Sequence, residues 1–332
     1  MARRSKGIVI ACIVGTFVCQ VSHAWGPDGH HTVGALADRL IAGTNAESQV
    51  KAILNGLTLA DAAVWADCAK GVDPKTFVYN GAGRFPECKV FETTAGEAEM
   101  SDFVQRNSSC VVKPGEEACN KQYHYTDVNV AQQKFKLGLV GTRDDDIVAA
   151  ITAAVHFLKG DTVPSPFSFK DKHEALLALA HYVGDVHQPL HVGTVYLSAA
   201  GKRVNPDTSG FDPATFTTGG NDLMVSGVKL HAKWDAIPAS LKQTKITAAW
   251  VTRAHAVPAT SGDIMTWSTS WATDTLGKAK SAYQGVTFGS RSGQHWPATL
   301  PSGYSTRMTS IKKTQLTAGG AHLAALLEAI WP

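Results

Sequence analysis

Beyond its first two dozen residues the chain has no long apolar run, so nothing there reads as a membrane span, which needs roughly 20 such residues. An excess of one charge is also lacking. Lys plus Arg number 31 against 28 Asp plus Glu, and three of the basic residues, Arg3, Arg4 and Lys6, sit at the extreme N-terminus. The remainder is balanced, so overall charge does not predict a protein that holds nucleic acid by phosphate neutralisation alone. Cysteine is sparse, six in all, and no Cys-x-x-Cys pair occurs, which excludes a zinc ribbon. Period-two alternation is scarce and no internal repeat is present, which argues against a β-sandwich or a solenoid.

What is there begins with a leader. The three basic residues precede an apolar run from Gly7 to Cys19, and Ser22-His23-Ala24 places small residues at the last and third-last positions. That pattern predicts a signal peptide over residues 1–24, cleaved after Ala24, and a secreted or periplasmic product. Cleavage would leave one domain, residues 25–332, beginning at Trp25, with no membrane anchor and expected to act as a monomer. Cys12 and Cys19 would leave with the leader. The even remainder, Cys68, Cys88, Cys110 and Cys119, favours two disulfides in an exported chain. Of the three pairings, Cys68 with Cys88 and Cys110 with Cys119 close the shortest loops.

The spacing of apolar residues predicts a mainly α fold, a single compact multi-helix domain with long loops and few or no strands. Asp28 is expected to cap a helix bearing Val33, Leu36, Ala37, Leu40 and Ile41, and Thr58 to Asp61 reads as a capping box. Thr142 is expected to cap another helix, with Asp144, Asp145 and Asp146 in its first turn. Further helices are predicted over Lys172–His187, Trp267–Ala282 and Thr314–Ile330. Val72 to Glu117 shows no period and reads as an insertion pinned by disulfides. Thr194 to Gly220 reads as an irregular loop.

Chemistry concentrates in a few stretches. His181 and Asp185 stand four residues apart on one helical face, with His191 at the helix end, and His231 and Asp235 repeat the spacing. One such pair is an ordinary surface hydrogen bond as readily as a metal site. Two pairs with an extra histidine favour metal. His30, Asp67 beside an apolar stripe, and His124 with Tyr125 and Asp127 complete the set. Five imidazoles and three carboxylates exceed what one zinc takes, so more than one ion is expected.

These residues resemble the zinc-dependent, single-strand-specific nucleases of fungi, plants and bacteria, the nuclease S-one and P-one type. The resemblance rests on Trp25-Gly26-Pro27-Asp28-Gly29-His30, Trp65-Ala66-Asp67, His124-Tyr125-Thr126-Asp127, His181 through Asp185 to Gln188-Pro189-Leu190-His191, Gly219-Gly220-Asn221, and Leu230-His231-Ala232-Lys233-Trp234-Asp235. It implies three zinc ions. Asp67, His124, His181 and Asp185 would hold the first; His191, His231 and Asp235 the second; His30, Asp185 and Trp25, through its free amine and carbonyl, the third. It further implies cleavage of single-stranded RNA and DNA to 5′-phosphorylated products and removal of 3′-phosphates from nucleotides. Lys70 would stabilise developing charge, Asp127 would orient water or a base edge, and Tyr125 would stack a base. Asn221 would contact the substrate. The alternative reading is a phosphodiesterase of the trizinc bacterial phospholipase C type. The insertion departs from the fungal pattern, and Asn107-Ser108-Ser109 in it is either a glycosylation sequon or an unused surface triplet.

Overall fold

The computed structural model describes residues 25–110, 117 and 119–332. The predicted leader, residues 1–24, lies outside them. In chain order the first eight helices are α1 (Pro27–Leu40), α2 (Asn45–Leu54), α3 (Leu59–Ala62), α4 (Trp65–Ala69), α5 (Thr94–Arg106), α6 (Ile147–Lys159), α7 (Lys172–Val186) and α8 (Pro189–Val192). Then follow α9 (Pro206–Ser209), α10 (Leu230–Asp235), α11 (Ala248–His255), α12 (Trp267–Ala282) and α13 (Tyr304–Ile330). The fold is mainly α. None of these helices is long and apolar enough to cross a membrane.

The composition of α7 dictates its place. Asp171 caps it by accepting the Glu174 N–H, and every side chain from Glu174 to Val186 is buried. A helix apolar on all sides must be enclosed. It is: α1, α2, α3, α4, α6, α12 and α13 all pack on it. Leu176, Leu177 and Leu179 are fully buried, each worth roughly 1.5–3 kcal/mol in apolar area removed from water. α13 approaches α1 closely because position 320 is glycine: a Cβ there would lie 2.5 Å from the Cβ of Leu36.

Strands are short and serve as clamps. β1 (Val128–Asn129) pairs in parallel with β2 (Gly193–Thr194), Val128 opposite Gly193. β3 (Tyr196–Leu197) pairs with β4 (Arg203–Val204). The four-stranded sheet runs β6 (Val228–Lys229), β5 (Leu223–Val225), β8 (Trp296–Thr299), β7 (Thr287–Phe288), and its β5–β6 hairpin delivers the chain into α10.

Several expectations need correction. α1 starts at Pro27, whose missing N–H suits the first turn, so Asp28 lies inside the helix and pairs with Lys242 at 2.7 Å instead of capping. Asp146, not Thr142, caps α6, accepting from the Val148 and Ala149 N–H groups. Asp144 and Asp145 therefore precede the helix, and Asp145 binds Arg143. The aperiodic insertion holds a real helix, α5, capped by Thr93. The final helix begins ten residues before Thr314, and the loop after Thr194 contains the β3–β4 pair. Both favoured disulfides are present, Cys68–Cys88 and Cys110–Cys119.

Candidate metal centre

Six segments converge on one buried point. α7 presents His181 and Asp185 from successive turns, α4 brings Asp67, and the 3-10 turn Cys119–His124 ends on His124. Pairing of β1 with β2, with the Thr126 N–H donating to the His191 carbonyl at 2.8 Å, fixes the His124 segment beside α8 and its His191. α10 supplies His231 and Asp235 one turn apart. His30 crosses from α1 and stacks on His181, ring centroids 4.0 Å apart. That crossing requires Gly184, since a Cβ there would meet His30 Nδ1 at 2.8 Å.

The donor atoms sit at metal-site spacing. His124 Nδ1, His181 Nε2 and Asp185 Oδ2 lie 2.9–3.0 Å from one another, and Asp67 Oδ1 lies 3.7 Å from both imidazole nitrogens. His231 Nε2 is 3.2 Å from His191 Nε2 and 3.5 Å from Asp235 Oδ1. His30 Nε2 is 3.2 Å from Asp185 Oδ1. Four ligands at ordinary zinc bond lengths stand about 3.3–3.5 Å apart along a tetrahedron's edges. The two carboxylate oxygens of Asp185 thus face different donor groups, as a bridging ligand's would.

Tautomers point the same way. His181, His191 and His231 each direct Nδ1 at a backbone carbonyl, Ala63 at 2.6 Å, His124 at 2.8 Å and Gly219 at 2.7 Å. A carbonyl can only accept, so each Nδ1 carries the proton and each Nε2 offers a lone pair to the cluster. Lone pairs facing one another across about 3 Å repel unless a cation lies between them. Asp185 Oδ1 and both His30 nitrogens are buried without a hydrogen bond. The donor set therefore fits metal, and fits it better than a hydrogen-bonded network.

Electrostatics keep His30, His124, His191, His231 and Asp185 in their binding forms, while His181 and Asp235 are shifted the other way without an ion. Burial first, then the neighbouring His181, lowers His30 to about 4. Burial and Lys70 take His124 to about 3, and burial with His191 takes His231 to about 3. His191 is lowered by burial as well. Burial acts most strongly on His181 too, but Asp185 and Asp67 outweigh it and raise that ring. Burial alone would raise Asp185; His181, His191 and His30 around it hold it well below the carboxylate range. Asp235 is pushed well up by burial, against the Gln188 amide that donates to it at 2.7 Å. Neutral imidazole and ionised carboxylate are what a metal binds.

A cleft of about 430 Å³ opens over this centre, lined among others by Lys70, Lys121, Tyr125, Asp127 and Asn221. All the predicted substrate residues therefore reach one space. Lys70 Nζ pairs with Asp67 Oδ1 at 2.9 Å and is nearly buried. Tyr125 accepts the Glu117 N–H at its hydroxyl, and Asn221 donates to the Thr218 carbonyl. Trp25 is fully buried, its backbone leading to Gly26, whose N–H donates to the Asp235 carbonyl. Missed by sequence reasoning were Gln188, which orients Asp235, and Lys312, whose ammonium donates to the Lys233 and Ala236 carbonyls at the end of α10. Only Gln188 carried a signal, its place three residues before His191. Beside His30, His31 donates its Nδ1–H to the Ala60 carbonyl at 2.8 Å.

A mainly α chain whose buried imidazoles and carboxylates can hold several ions beneath a polar cleft defines a metal-centred hydrolase. Within that class the chain belongs to the S1/P1 nuclease family, whose model matches residues 25–332. It is thereby a phosphodiester hydrolase of nucleic acid. No curated protein matches the sequence.

Proposed function

We propose that the protein is a secreted zinc-dependent endonuclease that hydrolyses single-stranded RNA and DNA to 5′-phosphorylated products and removes 3′-phosphates from nucleotides. The observation that carries the reading is the set of Nε2 lone pairs of His181, His191 and His231, locked by backbone carbonyls toward buried carboxylates. Asp67, His124, His181 and Asp185 would hold one zinc, His191, His231 and Asp235 a second, and His30, Asp185 and Trp25 a third. Bound zinc lowers the pKa of water toward neutrality and offsets phosphate charge.

The chain's own groups do the rest. Lys70 is nearly buried, and Asp67 and Asp185 keep it charged against the pull of burial. It faces the cleft and would stabilise the charge that develops on phosphate oxygens. Tyr125 presents a ring for an unpaired base, which suits single strands because every base has an open face when unstacked. Asp127 and Asn221 line the same cleft and would orient water or a base edge. Removal of residues 1–24 would expose the amine of Trp25, so export would complete the third site.

Elemental analysis of the processed protein is expected to give about three zinc ions per chain. Chelation should abolish release of acid-soluble nucleotides from single-stranded DNA, and added zinc should restore it. Full activity from metal-free protein would refute the reading.

A further inference from the structure

The insertion builds a second cavity beside the metal centre. The Cys68–Cys88 disulfide closes its first part into a loop, and an antiparallel bridge joins Val72 to Tyr79. Tyr79 donates its hydroxyl hydrogen to Glu92, whose carboxylate also accepts the Gly83 N–H. Gly71 and Gly81 hug the Tyr79 ring so tightly that a Cβ at either would lie within 2.8 Å of it. The loop is therefore held in shape by a disulfide, side-chain hydrogen bonds and close packing.

Between this loop and the turn leading to His124 lies a cavity of about 230 Å³. Lys70, Arg84, Phe85 and Lys121 line it, together with Asn80 and the carboxylates Asp67 and Asp73. Lys70 and Lys121 also line the cleft over the metal centre, so the two spaces adjoin across these side chains. Asp73 is occupied by the Lys75 and Thr76 N–H groups, and Lys70 by Asp67. The Arg84 guanidinium lies 5.6 Å over the Phe85 ring. Cations beside a half-exposed aromatic match the two faces of a nucleotide, phosphate and base.

We propose that this cavity is a subsite for the nucleotide next to the one at the metal centre. Lys121 and Arg84 would hold its phosphate, and Phe85 would stack its base. The inference rests on the nuclease reading and goes further, because it makes the insertion an organ for longer single strands. The near-balance of charge sharpens it: without a large overall excess of positive charge, affinity for length draws on local cations.

Arg84→Gln and Phe85→Leu test it. With a single-stranded decanucleotide each variant is expected to lose about tenfold in kcat/KM, mostly through KM, and Arg84→Gln should flatten the salt dependence. With a 3′-mononucleotide, kcat, KM and inhibition by inorganic phosphate should stay at wild-type values, as should zinc content and melting temperature. Equal losses on both substrates, no loss on the decanucleotide, or weakened phosphate inhibition would each overturn the subsite. A zinc-loaded wild type that hydrolyses neither substrate would instead sink the nuclease reading itself.

Discussion

The backbone N–H of Gly26 donates to the carbonyl oxygen of Asp235 at 3.0 Å, tying the start of the described chain to the last residue of α10. Trp25 is fully buried just before this clamp, its side chain packed so closely that a Cβ at Gly29 would lie 2.8 Å from it. An added residue would turn the Trp25 amine into an amide, a poor metal ligand. Placing one alanine ahead of Trp25 in the processed protein is therefore expected to lower zinc from about three to about two per chain. Turnover should fall roughly 10- to 100-fold, the usual loss when a metal site loses support. Unchanged metal content and rate would contradict a ligand role for Trp25.

Lys70 and Asp67 form a nearly buried pair, 2.9 Å apart. If the ammonium serves developing charge, removing it should cost kcat and leave binding of the ground state little changed. Lys70→Met is expected to lower kcat by about 10²–10³-fold with zinc retained. Loss of zinc in the variant would show instead that Lys70 acts by holding Asp67 in place.

Asn107 was legible in the sequence only as a possible glycan acceptor or a surface triplet, and it is neither. Its amide donates to the Phe103 and Ser168 carbonyls and its oxygen accepts from the Ser168 N–H and the Tyr123 hydroxyl, and Asn107 itself is only 2% exposed. It joins the insertion to the segment that enters α7. Asn107→Ala strands buried groups and is expected to cost about 2–3 kcal/mol in urea unfolding. Active protein from a glycosylating host should carry no glycan there by mass spectrometry; a glycan on folded, active protein would contradict the packing.

The same contrast runs through the molecule. His181 with Asp185 and His231 with Asp235 were readable because a four-residue spacing on a helix fixes which side chains converge. The helices α7 and α12 were readable because their apolar periods are long. α5 was not, since Thr94–Arg106 is polar and buries only Met100, Phe103 and Val104, too few positions to mark a face. Nor could the sequence reveal Ala63, Gly219 and the His124 carbonyl as the groups that set the tautomers. They act through backbone atoms, which every residue has, and only the fold brings them into place.

His187 and His322 form a further buried histidine pair, joined by a hydrogen bond. His187 directs Nδ1–H to the Val183 carbonyl at 2.7 Å, leaving Nε2 to accept from His322 Nδ1–H, also at 2.7 Å, while His322 stacks on Trp271. Burial lowers His187 to about 4, and burial with His187 lowers His322 to about 3. Both rings are therefore neutral in the fold but titrate near 6.5 when the chain unfolds. Depressed values place their stability above pH 6.5 and remove it as pH falls from there toward 4. For His322 alone the loss is about 2 kcal/mol at pH 5 relative to pH 7.5. His322→Phe keeps a ring against Trp271 but leaves Nε2 of His187 unpaired, so it should be less stable than wild type at pH 7.5 by about 1–3 kcal/mol. That gap should close by about 2 kcal/mol at pH 5, where wild type suffers the protonation that the variant has lost. Urea unfolding of both zinc-loaded proteins at the two pH values measures it, and metal binding cancels in the difference. Parallel losses in the two proteins would mean that this pair does not carry the acid limb.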